Sequence, residues 1–178
     1  MSMTRNALIF GSLSGLVVIV GIIVSLALPH RGNSASSEWL GYLIMILALS
    51  MIFFGIKRHR DTVLGGVIRF VPALLLGLGI AAMAGVVYVV VWEIYLAATH
   101  YTFIDTYTSA VLAAKRAEGL SGAALDAQIA QMQALKAQYA NPLYRVPMTF
   151  LEIFPVGLVI ALVSAALLRN PKVLPARA

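Results

Sequence analysis

The sequence contains no cysteine, few acidic residues and only three histidines. The absence of cysteine excludes disulfides, thiolate catalysis and cysteine-based metal sites. The histidines, His30, His59 and His100, lack the spacing of zinc ligands. No nucleophile motif, glycine-rich phosphate loop or His/Asp metal motif accompanies them. We therefore expect no metal site, no cofactor and no catalytic residues, and a protein that is not an enzyme is favoured.

Charged residues are also scarce, since they make up 11% of the 178 residues, against about a quarter in soluble domains. Apolar residues make up 61%, and the mean hydropathy is +0.91. A chain of this size cannot bury so much in one soluble core, and disordered chains are poor in apolar residues. The surplus therefore predicts contact with the lipid bilayer. The net charge of +6 fits the Lys and Arg that flank membrane spans, so nucleic acid is not expected as a partner.

Four stretches are long and apolar enough to cross a bilayer, which takes about 20 residues of helix. The first could be a cleaved signal peptide, because Ser25-Leu26-Ala27 has the small-x-small pattern of a cleavage site. Its length exceeds the 7–15 residues or so of a signal peptide's apolar region, which favours a retained span. The predicted spans are residues 7–28, 39–56, 70–98 and 148–168.

Basic residues predict the orientation of these spans through the positive-inside rule. With the N-terminus inside, the short outer segment holds Arg31 alone. Four more cations lie in the long outer segment, where charge orients little. We therefore expect both termini to be cytoplasmic. The inner segments hold eight basic residues: Arg5, Lys57, Arg58, Arg60, Arg69, Arg169, Lys172 and Arg177.

The segment 99–147 between the third and fourth spans is predicted to form an outer helical hairpin. Gly119 suits the end of its first helix, Ser121 the start of its second, and Asn141-Pro142 the end of the second. Its apolar stripes pack against each other or the membrane surface, or else they bind a membrane protein partner or a second copy. The first stripe is Ile104, Tyr107, Val111 and Ala114, and the second is Leu125, Ile129, Met132, Leu135 and Tyr139. The candidate partner stripe is Leu125, Ile129 and Met132.

Small residues recur at four-residue spacing in three of the spans. The rows begin at Gly11, Gly77 and Gly157, and small residues let helix backbones approach closely. Packing within one bundle is favoured over a homodimer face. The pattern as a whole predicts an all-α, integral membrane four-helix bundle with an extramembrane helical hairpin between spans three and four.

Glu93 and Glu152 interrupt the third and fourth spans, where a charge costs about 3 kcal/mol or more. Glu93 lies five residues before the outer end of its span, and Glu152 lies four residues after the outer start of its own. At about 1.5 Å per residue both lie at one depth, so neighbouring helices would let them share a site. His100, Arg145 and Tyr95 are further candidates for this site.

Three interpretations of the two carboxylates stay open. Each could hydrogen-bond a neighbouring helix or pair with Arg145 and so lock the packing. The pair could instead share a proton or hold a hard cation together with the Leu151 carbonyl, which Pro155 leaves free. Acid and base catalysis is the least supported. The corresponding functions are a non-enzymatic accessory or scaffold subunit, a proton- or cation-coupled transport component and, with the least support, a membrane enzyme.

Several motifs resemble a bacterial membrane family known as domain of unknown function 4199. They are the run GIKRHRD at 55–61, the Gly65-Gly66 pair, WEIY at 92–95 and TFLEIFPVG at 149–157. The resemblance extends from Asn6 to Leu168. It implies a multi-spanning bacterial membrane protein of unestablished activity, and it includes Glu93 and Glu152 in the family pattern. It brings no substrate, cofactor or reaction. We expect the protein in the inner membrane.

Overall fold

The computed structural model describes residues 2–27 and 34–175, and within these residues every regular element is a helix, with no strand. The all-α prediction is therefore confirmed. Residues Leu28, His30, Arg31 and Arg177, on which parts of the span and orientation predictions depend, lie outside the described residues. The helices are α1 (Met3–Ala27), α2 (Ser34–Leu49), α3 (Met51–Val63), α4 (Phe70–Ala98), α5 (Phe103–Ala117), α6 (Gly122–Tyr139) and α7 (Pro142–Leu168).

Four helical segments are long and apolar enough to cross a membrane, as expected. The second of them joins the end of α2 to α3 through Ser50. The fourth begins six residues before the expected Met148, because Asn141 caps it: the Leu143 N–H donates to Asn141 Oδ1 at 3.0 Å. Pro142 then fits the first turn, where its missing N–H costs nothing. The four segments are Met3–Ser25, Gly41–Val63, Phe70–Ala98 and Pro142–Leu168.

The chain divides into two compact units, and α4 and α7 each contribute to both. One unit contains the residues up to Val91 and those from Phe150 onward, and the other is Trp92–Thr149. In the first unit, large aliphatic side chains such as Ile19, Ile52 and Ile80 are fully buried. Many aliphatic side chains on the outside of the same helices are exposed. Helices that are apolar on all sides are typical of membrane spans.

Small residues set the helix spacing in the first unit. A Cβ on Gly15 would lie 2.5 Å from the Ala84 carbonyl oxygen, so α1 and α4 approach through their backbones. A Cβ on Gly77 would lie 2.8 Å from the Cβ of Ala161, which brings the predicted rows of α4 and α7 together. The small-residue rows therefore pack helices of the same chain against each other.

In the second unit, the first turn of α5 contacts the last turn of α6. Lys136 pairs with Asp105, and the rings of Phe103 and Tyr139 lie 6.4 Å apart. Met132 of the second predicted stripe is buried. The position of these two helices outside a membrane stays a prediction.

The predicted boundary between α5 and α6 is confirmed at Gly119. This residue has φ +89°, and the N–H of the next residue, Leu120, donates to Lys115 O at 3.0 Å. The Gly119 N–H donates to Arg116 O, also at 3.0 Å, which completes a Schellman motif. Ser121 occupies the predicted N-cap position of α6, without a capping hydrogen bond from its side chain.

The first predicted stripe is only partly buried. Tyr107 and Ala114 are exposed, whereas Ile104 and Thr108 are buried. Thr108 tolerates burial because its hydroxyl donates to the Ile104 carbonyl at 2.8 Å. The buried face of α5 is therefore rotated from the expected one and includes a polar residue.

Candidate functional site

Glu93 and Arg145 form a two-pronged ion pair in the second unit. Arg145 Nε donates to Glu93 Oε1 and Arg145 Nη2 donates to Glu93 Oε2, both at 2.7 Å. The Arg145 side chain is only 4% exposed and that of Glu93 is 27% exposed. Parallel hydrogen bonds between the planar guanidinium and a carboxylate are among the strongest in proteins. Pairing of Glu93 with Arg145 is one of the alternatives that the sequence left open.

Arg145 also contacts the end of α6. Its Nη1 donates to the Tyr139 carbonyl at 2.9 Å. Its guanidinium carbon lies 5.2 Å from the ring centre of Tyr101 and 5.7 Å from that of Tyr139, within the range of cation–π attraction. Arg145 therefore links the last turns of α4, the end of α6 and the first turns of α7. Lysine could not make all of these contacts, because it has neither the flat face nor the two prongs.

Aromatic rings surround this ion pair. Trp92 Nε1 donates to the Tyr139 hydroxyl at 2.8 Å. The Trp92 ring stacks on Tyr95 at 5.2 Å and meets the edge of Phe103 at 4.8 Å. Tyr95, a predicted site residue, thus belongs to the aromatic shell rather than to the charged pair. Trp92 is buried, and the sequence had not identified it as part of a site.

His100, another predicted site residue, lies in the turn that ends α4. It has φ +52°, and Tyr101 has φ +58°, conformations that residues other than glycine adopt rarely. The Tyr101 N–H donates to the Leu96 carbonyl at 2.7 Å, which closes the turn. The His100 side chain is exposed, and no contact within the described ranges joins it to Glu93 or Arg145. The turn instead brings Tyr101 over the guanidinium.

Glu152 belongs to the first unit and has a different partner from Glu93. The Tyr88 hydroxyl donates to Glu152 Oε2 at 3.4 Å, and Glu152 is exposed on the surface of α7. Leu151, whose carbonyl Pro155 leaves free, is exposed as well. A site shared by the two carboxylates stays a prediction.

The sequence missed a buried polar pair near the start of α1 and the end of α3. Asn6 Nδ2 lies 3.0 Å from His59 Nδ1, and both residues are buried. Asn6 Oδ1 has no hydrogen-bond partner among residues 2–27 and 34–175. His59 stands in the basic run from Lys57 to Arg60, where a solvated side chain would be expected, but α3 extends beyond the apolar run and buries it. Asn6, a lone amide next to an otherwise apolar stretch, was the one feature of the sequence that could have indicated this buried pair.

Arg60, one of the eight basic residues counted in the predicted inner segments, is fully buried. Its Nε donates to Asp61 Oδ1 at 2.7 Å, and its Nη1 and Nη2 donate to the carbonyls of Val173 and Leu174 at 2.9 and 2.5 Å. Lys57 pairs with the other oxygen of Asp61 at 2.5 Å. Arg60 therefore ties the end of α3 to the segment that follows α7.

Within the part of the chain that the structure describes, no three His, Asp or Glu side chains are grouped so that they could hold a metal ion. Comparison with curated proteins and with solved structures finds no match to this sequence. Residues 5–170 match the family described as "Protein of unknown function (DUF4199)". The match covers nearly the whole chain, as the resemblance of its motifs implied. The chain therefore belongs to the DUF4199 family.

Proposed function

We propose that the protein is a non-enzymatic accessory or scaffold subunit of the bacterial inner membrane, with both termini cytoplasmic and the α5–α6 hairpin outside. The observation that carries this proposal is the ion pair between Glu93 and Arg145. The two opposite charges neutralise each other, and Arg145 also donates a hydrogen bond to the Tyr139 carbonyl. Side chains satisfied in this way hold a structure together and are poorly suited to bind a substrate.

The hairpin is suited to present a surface to a partner. Its base is held to the last turns of α4 and the first turns of α7 by Arg145, so its exposed faces keep a defined position within the second unit. Preorganised surfaces bind with less loss of conformational entropy. Leu125 and Ile129 are half-buried and could contribute to such a contact, whereas Met132 is buried within the unit.

Site-specific photo-crosslinking tests the scaffold proposal. A photoreactive amino acid replaces exposed Gln131 on α6, and a second variant carries it at exposed Val20 on α1 as a control. We expect Gln131 to capture one discrete partner, which mass spectrometry identifies, and Val20 to capture lipid. Glu93→Leu should weaken the capture at Gln131, because the base of the hairpin loosens. Equal capture at both positions would contradict the proposal.

A proton- or cation-coupled transport component is the second candidate, and Glu152 favours it. Glu152 is an exposed residue on an apolar helix, and its carboxylate accepts a 3.4 Å hydrogen bond from the Tyr88 hydroxyl. Purified protein in liposomes with a pH-sensitive dye tests this candidate. A proton or cation flux that Glu152→Gln abolishes, in a variant that still folds, would favour transport. The absence of proton or cation flux in the wild type would exclude the transport function.

A further inference from the structure

One end of the first unit collects exposed basic residues from four segments of the chain. Arg5 lies on α1, Arg58 on α3 and Arg69 just before α4, and all three are exposed. Arg169 and Lys172, which follow α7, are exposed as well. These five residues are spread over more than 160 positions of the sequence, so it is the fold that brings them together.

Three hydrogen bonds bring these segments together. Asn6, the neighbour of Arg5, contacts His59, the neighbour of Arg58, at 3.0 Å. Arg60 donates to the Val173 carbonyl at 2.9 Å, which holds the segment containing Arg169 and Lys172 against the end of α3. The Gly66 N–H donates to the Arg60 carbonyl at 2.9 Å, which turns the chain toward Arg69.

The positive charge of this end is not neutralised within the described residues. None of its five exposed cations forms an ion pair with another described residue. Asp61, the carboxylate carried by the same end of α3, is shared by Lys57 at 2.5 Å and Arg60 at 2.7 Å. The exposed cations are therefore available for an anionic partner.

Apolar side chains lie among these cations. Val63, the last residue of α3, is exposed, and so are Leu64 and Val67 in the connection between α3 and α4 and Val71 in the first turn of α4. Contacts with nucleic-acid phosphates come from basic and polar groups, so they would not account for the exposed aliphatic residues between these cations. Cations interleaved with aliphatic side chains match the boundary between lipid head groups and acyl chains.

We propose that this basic end binds the phosphate groups of anionic phospholipids in the adjacent leaflet. The proposal rests on the membrane location proposed above and adds a ligand class and a binding surface to it. Arg58, Arg69 and Arg169 contact the phosphates, and Leu64 and Val67 enter the layer below the head groups. This surface prefers phosphatidylglycerol to phosphatidylcholine, because only the former carries a net negative charge.

Native mass spectrometry of the full-length protein in a neutral detergent tests the proposal, with equal amounts of phosphatidylglycerol and phosphatidylcholine added. The wild type should retain mainly phosphatidylglycerol. Each of Arg58→Gln, Arg69→Gln and Arg169→Gln should lower this preference about fivefold, the effect expected for one cation near a membrane surface. Because each single variant is tested separately, one that fails to fold leaves the others decisive.

The matched control is Arg116→Gln, which removes one exposed cation from the second unit, and it should keep the preference. An equal loss in this control, or no loss in the three single variants, would overturn the lipid surface. So would displacement of phosphatidylglycerol by an equal concentration of inorganic phosphate, since it would indicate a site for free phosphate. Recovery of the protein from a detergent-free cytosolic fraction would instead overturn the membrane proposal.

Discussion

Two arginines illustrate how single residues stabilise this protein. Arg60 and Arg145 are both buried, each next to one carboxylate and to backbone carbonyls. Transfer of a charge out of water costs several kcal/mol, and a partner of opposite charge offsets this cost only when the geometry is good. Loss of either partner would leave a buried charge without compensation. We therefore expect Glu93 and Asp61 to contribute to the stability of the fold.

Substitution of Glu93 tests this requirement. Glu93→Gln keeps one acceptor oxygen but loses the charge, so we expect it to lower the free energy of unfolding by about 1–2 kcal/mol. Glu93→Leu removes both hydrogen bonds between Arg145 and residue 93 and should lower the free energy of unfolding by about 3 kcal/mol. Denaturation in mixed detergent micelles measures both values. Arg116→Lys, at an exposed position, is the control and should change stability by less than about 0.5 kcal/mol.

The buried pair of Asn6 and His59 makes a separate prediction. Asn6→Leu leaves His59 Nδ1 without its partner, and His59→Leu leaves the Asn6 amide without its own. Each should lower the free energy of unfolding by about 1–3 kcal/mol, because an unpaired buried polar group loses its hydration without replacement. The double variant removes both polar groups and should cost clearly less than the two single losses combined. Strictly additive losses would show that the two side chains do not depend on each other.

At the scale of whole helices, close packing through small residues holds the first unit together. Lipid offers little hydrophobic gain for bringing two apolar helices together, so association in a membrane depends on close van der Waals contact. Gly11 and Gly15 of α1 provide this contact against α4, and Gly77 of α4 provides it against Ala161 of α7. The positions without a side chain therefore decide which helices are neighbours.

Gly15→Ala tests this packing. The new Cβ would lie 2.5 Å from the Ala84 carbonyl oxygen, which belongs to a helix backbone and cannot move aside. We expect α1 and α4 to separate and the free energy of unfolding to fall by about 1–3 kcal/mol. Gly41→Ala is the matched control, because a Cβ there meets nothing within 4 Å. The control should leave stability unchanged or raise it slightly, since alanine favours a helix more than glycine does. Equal losses in both variants would contradict the role of Gly15.

At the scale of the whole molecule, the orientation of the spans decides which surface faces which compartment. The positive-inside rule predicts that the basic end described above faces the cytoplasm and that the segment 99–147 is outside. The natural chain has no cysteine, so any introduced thiol is the single reactive group of its variant. This makes the orientation directly measurable.

Gln131→Cys on α6 and Thr62→Cys on α3 place one exposed thiol on each of these surfaces. In intact spheroplasts, we expect a membrane-impermeant maleimide to label Gln131→Cys and to reach Thr62→Cys only after permeabilisation. Gel shift or mass spectrometry measures the labelled fraction. The reverse pattern would show that the protein is inserted the other way round.

Local features of this protein could be derived from its sequence. The all-α class and the four long apolar helices follow from the length and hydropathy of the runs, because no other element hides its backbone polar groups inside one apolar segment. The end of α5 at Gly119 follows from the freedom of glycine to adopt a positive φ. Such features depend on neighbours in the chain.

Only the tertiary structure determines which hydrogen-bond and ion-pair partners the buried polar side chains have. Glu93 and Arg145 are 52 residues apart, and no local pattern states that their helices meet. His59 and Arg60 belong to a basic run that looks like a solvated flank, yet the fold buries them while Arg58 between Lys57 and His59 stays exposed. Hydropathy separates apolar from polar residues, but only the packing of helices determines whether a polar side chain meets solvent or a distant part of the chain.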